Sequence, residues 1–420
     1  MLLKGKYMRT TIALLAVLSL ALASCGDSEE CTAENHCILN NGEASCEQGY
    51  RWANPESEND FRCEEIPSTP IPILGNGTHS ITGAQITVIG TTSDNLNVPR
   101  DLEFHPINTN QLWVANRADS SMIVFSNVGL ADQSSQKIQS IFDGGLHFLA
   151  QPSAISFAAN GNFGSIHETD EETQGPLSQG GTPFDFMGPT LWTSDLNIFN
   201  AGHSGHLDMM HNSPNGMGIA WEKDNIYWVF DGFHSSITRY DFRLDHGPGG
   251  TWHDDGVVSR YVEGQVKRTP DVVSHLEFDK NNNLLYIADT GNQRIATLKT
   301  DSGTRGDDMQ SEEIYDCFEH PGQEITCADY HHMDNAVLTT FVDGSSFGIA
   351  QPSGLALHDS MVYVTDYRTG TIYAFTQEGE LLDWLNLERP NSLGGIEFDS
   401  TGNLYVVDSK ANEVIRISPL

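Results

Sequence analysis

The chain has 420 residues, with 22 basic against 57 acidic side chains and a formal net charge of −35. A field of that sign repels nucleic acid and anionic lipid headgroups and draws in cations, so nucleic-acid recognition is excluded as a function. The carboxylates are dispersed and form no complete EF-hand loop, which fits solubility in a salty or calcium-containing exterior as readily as a dedicated acidic site.

At the N-terminus, Lys4, Lys6 and Arg9 precede the apolar run Ile12 to Leu22. That run is too short to span a bilayer comfortably and has the layout of a secretion signal, residues 1–24. Leu22-Ala23-Ser24-Cys25 resembles the bacterial lipoprotein signal, and the resemblance implies that Cys25 becomes the lipidated first residue. An ordinary signal peptide followed by an accidental cysteine is the alternative. No other segment approaches about 18 apolar residues, so the expected partner is a membrane reached through the lipid on Cys25, tethering the chain rather than spanning it. Gly26 lacks the acidic retention signal known for some inner-membrane lipoproteins, which implies the outer membrane or cell surface of a bacterium.

Cysteine usage agrees with export. Of seven cysteines, Cys25 takes lipid, Cys31, Cys37, Cys46 and Cys63 form a cluster, and Cys317 and Cys327 lie ten residues apart, leaving no odd thiol. Cys46-Glu47-Gln48-Gly49-Tyr50 followed by Cys63 resembles the last disulfide loop of an EGF-like module, with two of that module's six cysteines absent. Residues 25–65 therefore read as a lipidated N-terminus and a reduced EGF-like knot. Four cysteines can also hold zinc, but no close Cys-x-x-Cys pair is present. Residues 66–83 contain Pro67, Pro70, Pro72, Gly75 and Gly77 and suit an extended linker.

From residue 84 to the end a meander recurs. His275 to Asp301 holds three short apolar runs separated by polar turns, each suited to a strand and none long enough for a typical helix. Its two marks are an alternating triplet and then an aromatic-apolar run ending in Asp or Asn. They recur as Leu102-Glu103-Phe104 with Leu112 to Asn116, Ile155-Ser156-Phe157 with Leu191 to Asp195, and Ile219-Ala220-Trp221 with Ile226 to Asp231. Leu276-Glu277-Phe278 with Leu285 to Asp289, Leu355-Ala356-Leu357 with Val362 to Asp366, and Ile396-Glu397-Phe398 with Leu404 to Asp408 complete the set. Six irregular repeats of about four strands each predict an all-β, six-bladed β-propeller over residues 84–420. The last unit lacks a fourth strand before the chain stops, and Gln85 to Ile89 is the candidate to pair with Glu413 to Ile417 and close the ring.

Asp289-Thr290-Gly291-Asn292-Gln293-Arg294-Ile295 and Gly402-Asn403-Leu404-Tyr405-Val406-Val407-Asp408 resemble the NHL-repeat family of six-bladed propellers. The resemblance implies the fold and leaves activity open, because such propellers host binding modules and enzymes alike. Amidating lyases of this type hold zinc with histidines at innermost strand starts. Here those positions are Arg100, Ser153, Met217, Ser274, Ser353 and Gly394, expected to line the channel, with His275 one residue later. The calcium set of sugar-lactone hydrolase propellers cannot be assembled. The Asp or Asn ending each second strand repeats in every unit, so it is expected to pin the following turn rather than to catalyse.

Histidines carry the sharpest chemical expectation. His203, His206 and His211 with Asp208 fall at the border of units two and three, His234 in the strand 2–3 turn of unit three, and His275 at the start of an innermost strand. His211, His234 and His275, with His206 and Asp208 as further donors, form a candidate metal set for Zn or Ca on the inter-blade-loop face. Hydrogen bonds to loop carbonyls are the plainer alternative. His246 and His253 belong to a strand 3–4 loop on the other face and stand outside that set. The segment Asn160 to Pro189 reads as a lid between the first two strands of unit two, covering the face away from the channel entrance. With no phosphate-binding glycine loop and no His-Glu-x-x-His, the reading is a surface-anchored propeller that binds a protein, glycan or small ligand on one face. The alternative is a metal-dependent lyase or hydrolase. Replacement Cys25→Ser is expected to move the mature protein from the membrane pellet to the soluble fraction. Retention in the pellet after a high-salt wash would contradict the tether.

Overall fold

Apolar residues at alternate positions, cut by turn residues, become four-stranded antiparallel sheets arranged as the blades of a propeller. The structure is a computed structural model and describes residues 31–40, 43–47, 50–53, 60–65, 69–139, 147–170, 182, 187–200, 205–310 and 316–420. Residues 1–24, Cys25 and His203 lie outside the described residues, as do 171–181 and 183–186 of the expected lid.

Blade 1 comprises Pro99–Phe104, Gln111–Asn116, Ser121–Ser126 and Ser134–Gln139, and blade 2 Pro152–Phe157, Asn162–His167, Met187–Thr193 and His206–His211. Blade 3 begins with Gly216–Lys223, Ile226–Asp231, Ser236–Asp241 and Val257–Tyr261. Blade 4 is Leu276–Asp279, Leu284–Asp289, Arg294–Lys299 and Val337–Asp343, and blade 5 is Pro352–His358, Met361–Asp366, Thr371–Thr376 and Leu381–Asn386. Blade 6 combines Leu393–Phe398, Leu404–Asp408 and Glu413–Pro419 with the N-terminal strand Ala84–Gly90, which sets Ile86 opposite Ile417 and Val88 opposite Ile415. The ring closes as the missing fourth strand required. Each junction between blades carries its own apolar cluster, as between blades 1 and 2, where Trp113, Phe157, Phe163, Trp192 and Phe199 pack with rings about 5 to 6 Å apart.

Three features depart from expectation. In blade 2, Leu191 to Thr193 belongs to the third strand, because Asn162–His167 supplies the second. The long segment therefore joins strands two and three, on the same face as the inter-blade connections (here the upper face) and not on the opposite one. Sequence masked this because Asn162–His167 lacks the aromatic-apolar signature of other second strands, ending in His167 where they end in Asp or Asn.

Residues 69–83 are packed rather than extended through solvent. Ile71, Ile73 and Leu74 are buried in the cluster between blades 5 and 6. Buried Asp383 accepts the backbone N–H of Ile71 at 2.8 Å and of Gly77 at 3.1 Å, while His79 stacks on Trp384 with centroids 3.4 Å apart. The segment latches the entering chain to Leu381–Asn386, the fourth strand of blade 5.

The third departure is the insertion between strands three and four of blade 4. Its strands Thr304–Asp308 and Asp329–Asp334 cross to blade 3, where the second runs parallel to Val257–Tyr261 and makes that sheet six-stranded. It caps the outer edge of blade 3.

Disulfides join Cys31 to Cys37, Cys46 to Cys63 and Cys317 to Cys327. The N-terminal knot is two small hairpins around Cys37, Cys46 and Trp52, and it touches the turn Gly344–Ser346 between blades 4 and 5 on the upper face. Deleting Ala84 to Gly90 is expected to expose the edge of blade 6 and to cost on the order of 5 kcal/mol through lost ladder bonds and burial. Thermal denaturation checks this, and a deletion variant with an unchanged melting temperature would contradict the pairing.

Candidate functional site

The acids ending the second strands are structural. Asp231 accepts N–H groups of Phe233 and His234, Asp289 that of Lys267, Asp366 those of Ala350, Gln351 and Arg368, and Asp408 those of Lys410 and Ala411. Asn116 does the same for Asn97. Asp195 has a different part, capping the short helix Leu196–Phe199.

Of the positions expected to line the channel, Arg100, Ser153, Met217, Ser274 and Ser353 carry side chains and sit at or just before inner strand starts, but those side chains are spent on contacts within the ring. Ser153 Oγ donates to the carbonyl of Gly216 at 2.7 Å and Ser353 Oγ to that of Leu393 at 2.9 Å, while Ser274 Oγ bonds Thr290 Oγ1 of its own blade at 2.7 Å, and Thr290 Oγ1 lies 2.6 Å from the carbonyl of Pro352 in blade 5. Met217 lies in the apolar cluster between blades 3 and 4. Arg100 meets Glu168 at 3.1 Å, and Arg117 bridges Glu168 and Asp271 on the upper face.

His211, His234 and His275 all reach the upper half of the molecule, and each has its own partner. His211 Nδ1 is 2.6 Å from Asp316, His234 Nδ1 is 2.7 Å from Asp231, and His275 Nε2 lies 3.1 Å from the carbonyl of Ser153 with Nδ1 3.5 Å from Asp101. Burial pushes the Asp316 and Asp231 carboxyls up, but the adjoining imidazoles pull both below the usual range. A Gly-x-Ser-x-Gly spacing occurs at Gly344 to Gly348. There Gly344–Ser346 is a single helical turn between blades, not the strand-to-helix elbow that arms a hydrolase serine.

His275 closes the channel. Its side chain spans from blade 4 to blades 1 and 2, and its N–H donates to Ser353 of blade 5 at 2.9 Å. Around that level adjacent inner strands touch: a Cβ on Gly218 would fall 2.2 Å from the carbonyl oxygen of Ser274, and one on Gly395 2.2 Å from Asp101 Oδ1. The ring is thus closed at its upper end, and the rest of each inner strand runs on toward the opposite, lower face.

One step below lie Glu103, Glu277 and Glu397, from blades 1, 4 and 6. They share one level, since each pairs with the mid-strand aromatic of its second strand, Trp113, Tyr286 or Tyr405. The other blades place Ser156, Ala220 and Ala356 there, none of them charged. All three glutamates lie deep in the propeller and yet remain half-buried rather than sealed. Burial first, then mutual repulsion, raises Glu277 to about 8 and Glu103 well above the carboxylate range. Burial also lifts Glu397 to about 7, with Asp101 adding to it. Lys280 rests on the Trp221 ring at 3.3 Å, and its charge favours ionisation of Glu277 and Glu103. This trio escaped the site prediction, although its signal was present: three of the six inner triplets read apolar-Glu-Phe.

A second constellation lies on the outer flank between blades 2 and 3. Asp208, on the fourth strand of blade 2, meets His246 and His253 from the strand 3–4 loop of blade 3. Donor atoms of these three residues lie within 4.8 Å of one another. Among the described residues no other set of three His, Cys, Asp or Glu converges so closely. His206 packs at 4.9 Å from the His246 ring. Burial lifts Asp208 to about 9, and burial lowers both His246 and His253. Asp208 and His206 were expected as donors, whereas His246 and His253 were assigned to a loop of the other face. The loop assignment holds, but the loop folds back onto the blade 2 strand.

No family model matches the chain, and no curated protein matches it in sequence. Among solved structures, an auxiliary nutrient binding protein from Bacteroides ovatus is 13% identical, with 91% of this chain and 88% of that one covered and a TM-score of 0.47. One from Bacteroides thetaiotaomicron is 10% identical over 91% and 87%, with a TM-score of 0.48. Virginiamycin B lyase from Staphylococcus aureus is 10% identical over 80% and 100%, with a TM-score of 0.45. Likenesses this distant say nothing of ligand or activity.

The glutamate trio has a consequence for stability. A carboxyl whose folded value is about 8, against 4.5 unfolded, holds its proton more tightly in the folded state. Its contribution is complete below pH 4.5 and is lost as pH rises through 8. Glu277→Gln is therefore expected to flatten the fall in melting temperature between pH 5 and pH 9. A variant with the wild-type slope would contradict the assignment.

Proposed function

We propose that the protein is an exported, lipid-anchored binding propeller whose channel takes a small cationic ligand from the lower face. The observation that carries this reading is the convergence of Glu103, Glu277 and Glu397 at one level of a channel blocked above by His275. Carboxylates forced together below a polar plug are destabilised as anions, and a cation entering between them relieves that repulsion. Lys280, parked on Trp221, supplies part of the compensation from within the chain.

Three disulfides and the acidic composition support an extracytoplasmic location. Among the described residues no helix is long and apolar enough to cross a membrane, in keeping with attachment through Cys25. The knot that follows Cys25 touches the upper face, so a tether there leaves the channel mouth pointing away from the bilayer. The reading favours binding over catalysis, because the histidines and serines near the inner strand starts are committed to bonds between blades or to neighbouring acids.

Calorimetric titration of the mature protein with calcium and with putrescine at pH 8 tests the reading. At least one is expected to bind with proton release, more weakly at pH 6, more tightly in Lys280→Met, and at least about 10-fold more weakly in the Glu103→Gln, Glu397→Gln double variant. Binding of neither, or binding that ignores these substitutions, would contradict it.

A further inference from the structure

The flank constellation is built for a purpose that the channel does not serve. Its loop is fixed to the blade 2 strand by backbone bonds, from His246 N–H to the carbonyl of Leu207 at 3.0 Å and from Gly249 N–H to that of His206 at 2.9 Å. His246 Nδ1 then lies 2.6 Å from the carbonyl of Gly247. A carbonyl only accepts, so the proton sits on Nδ1 and the lone pair on Nε2. That Nε2 is sealed from solvent and has no hydrogen-bond partner. An acceptor nitrogen buried without a donor is costly in a native structure, and a backbone bond to the other ring nitrogen is the usual way a protein orients a metal-binding imidazole.

The other donors are equally fixed. Asp208 is 1% exposed, and its Oδ1 accepts the N–H of Met209 at 2.7 Å and lies 2.7 Å from His253 Nδ1. Residue 250 must be glycine, since a Cβ there would stand 2.5 Å from His246 Nδ1. A second layer comes from the disulfide-bearing insertion of blade 4, whose His320 and Thr326 bond Asp254, the residue after His253.

We propose that Asp208, His246 and His253 form a binding site for a divalent transition-metal ion, zinc in the first place, on the flank between blades 2 and 3. Two imidazoles and one carboxylate are ligands zinc prefers over calcium, which takes six to eight oxygens. Donor atoms around a tetrahedral zinc stand about 3.3 Å apart, given bonds of about 2.0 Å. The present separations, from 2.7 Å up to 4.8 Å, bracket that value, and the ion takes the place of the hydrogen shared by Asp208 and His253. Three protein ligands leave a fourth position for water or for a donor group of a bound partner.

Titration of the metal-free mature protein with cobalt(II), followed by its visible absorption, and competition with zinc test the site. One equivalent is expected to bind. His246→Ala should weaken it by about 100-fold or more. Asp208→Asn should weaken it as well, while Glu277→Gln in the channel should leave it unchanged. Failure of the wild type to take up either metal, or wild-type affinity in both His246→Ala and Asp208→Asn, would overturn the proposal without touching the channel reading.

Discussion

Six inner strands converge until backbone meets backbone, and the usable surface of the molecule is set by that contact. Where Gly218 faces Ser274 and Gly395 faces Asp101, no side chain fits, so neighbouring blades bond directly through Ser274 N–H to Met217 and His275 N–H to Ser353. Ile155 N–H to Asp101 at 2.8 Å and the serine hydroxyl staples extend the same ring of bonds. His275 fills what remains of the opening. The histidine with the most suggestive position in the chain is thereby a plug, and the chemistry left over lies below it.

Below the plug, the alternation of a strand acquires a meaning it lacks in an open sheet. In Leu102-Glu103-Phe104 the apolar residues enter the clusters between blades, and the intervening glutamate is the position that a two-layer sheet would give to bulk water. In a propeller that position adjoins a narrow channel. Three of six blades put a glutamate there, and the cost of crowding them appears as raised affinity for protons. A cation is the natural counterpart.

Much of this was legible in the sequence, and the parts that were not share a cause. The blade count, the closing strand Ala84–Gly90 and the turn-pinning role of Asp231, Asp289, Asp366 and Asp408 follow from local pattern and recur with the repeat. Blade 2 was misread because Asn162–His167 departs from the repeat, which moved the long segment to the wrong face. The packing of Ile71, Ile73 and Leu74 was hidden by prolines that suggest an open spacer. The flank site was half visible, since Asp208 was singled out while its partners His246 and His253 lie 38 and 45 residues further on. Contacts between a strand of one blade and a loop of the next are set by the ring, and no local spacing records them.

The account therefore turns on whether the channel below His275 holds a positive charge. Anomalous diffraction from a crystal soaked in manganese chloride at pH 8 decides this most directly. The account predicts an anomalous peak among the carboxylates of Glu103, Glu277 and Glu397, or, in a parallel soak with putrescine, density for the diamine there, whatever is seen on the flank. A channel containing water alone, with all three carboxyls unliganded, would contradict it.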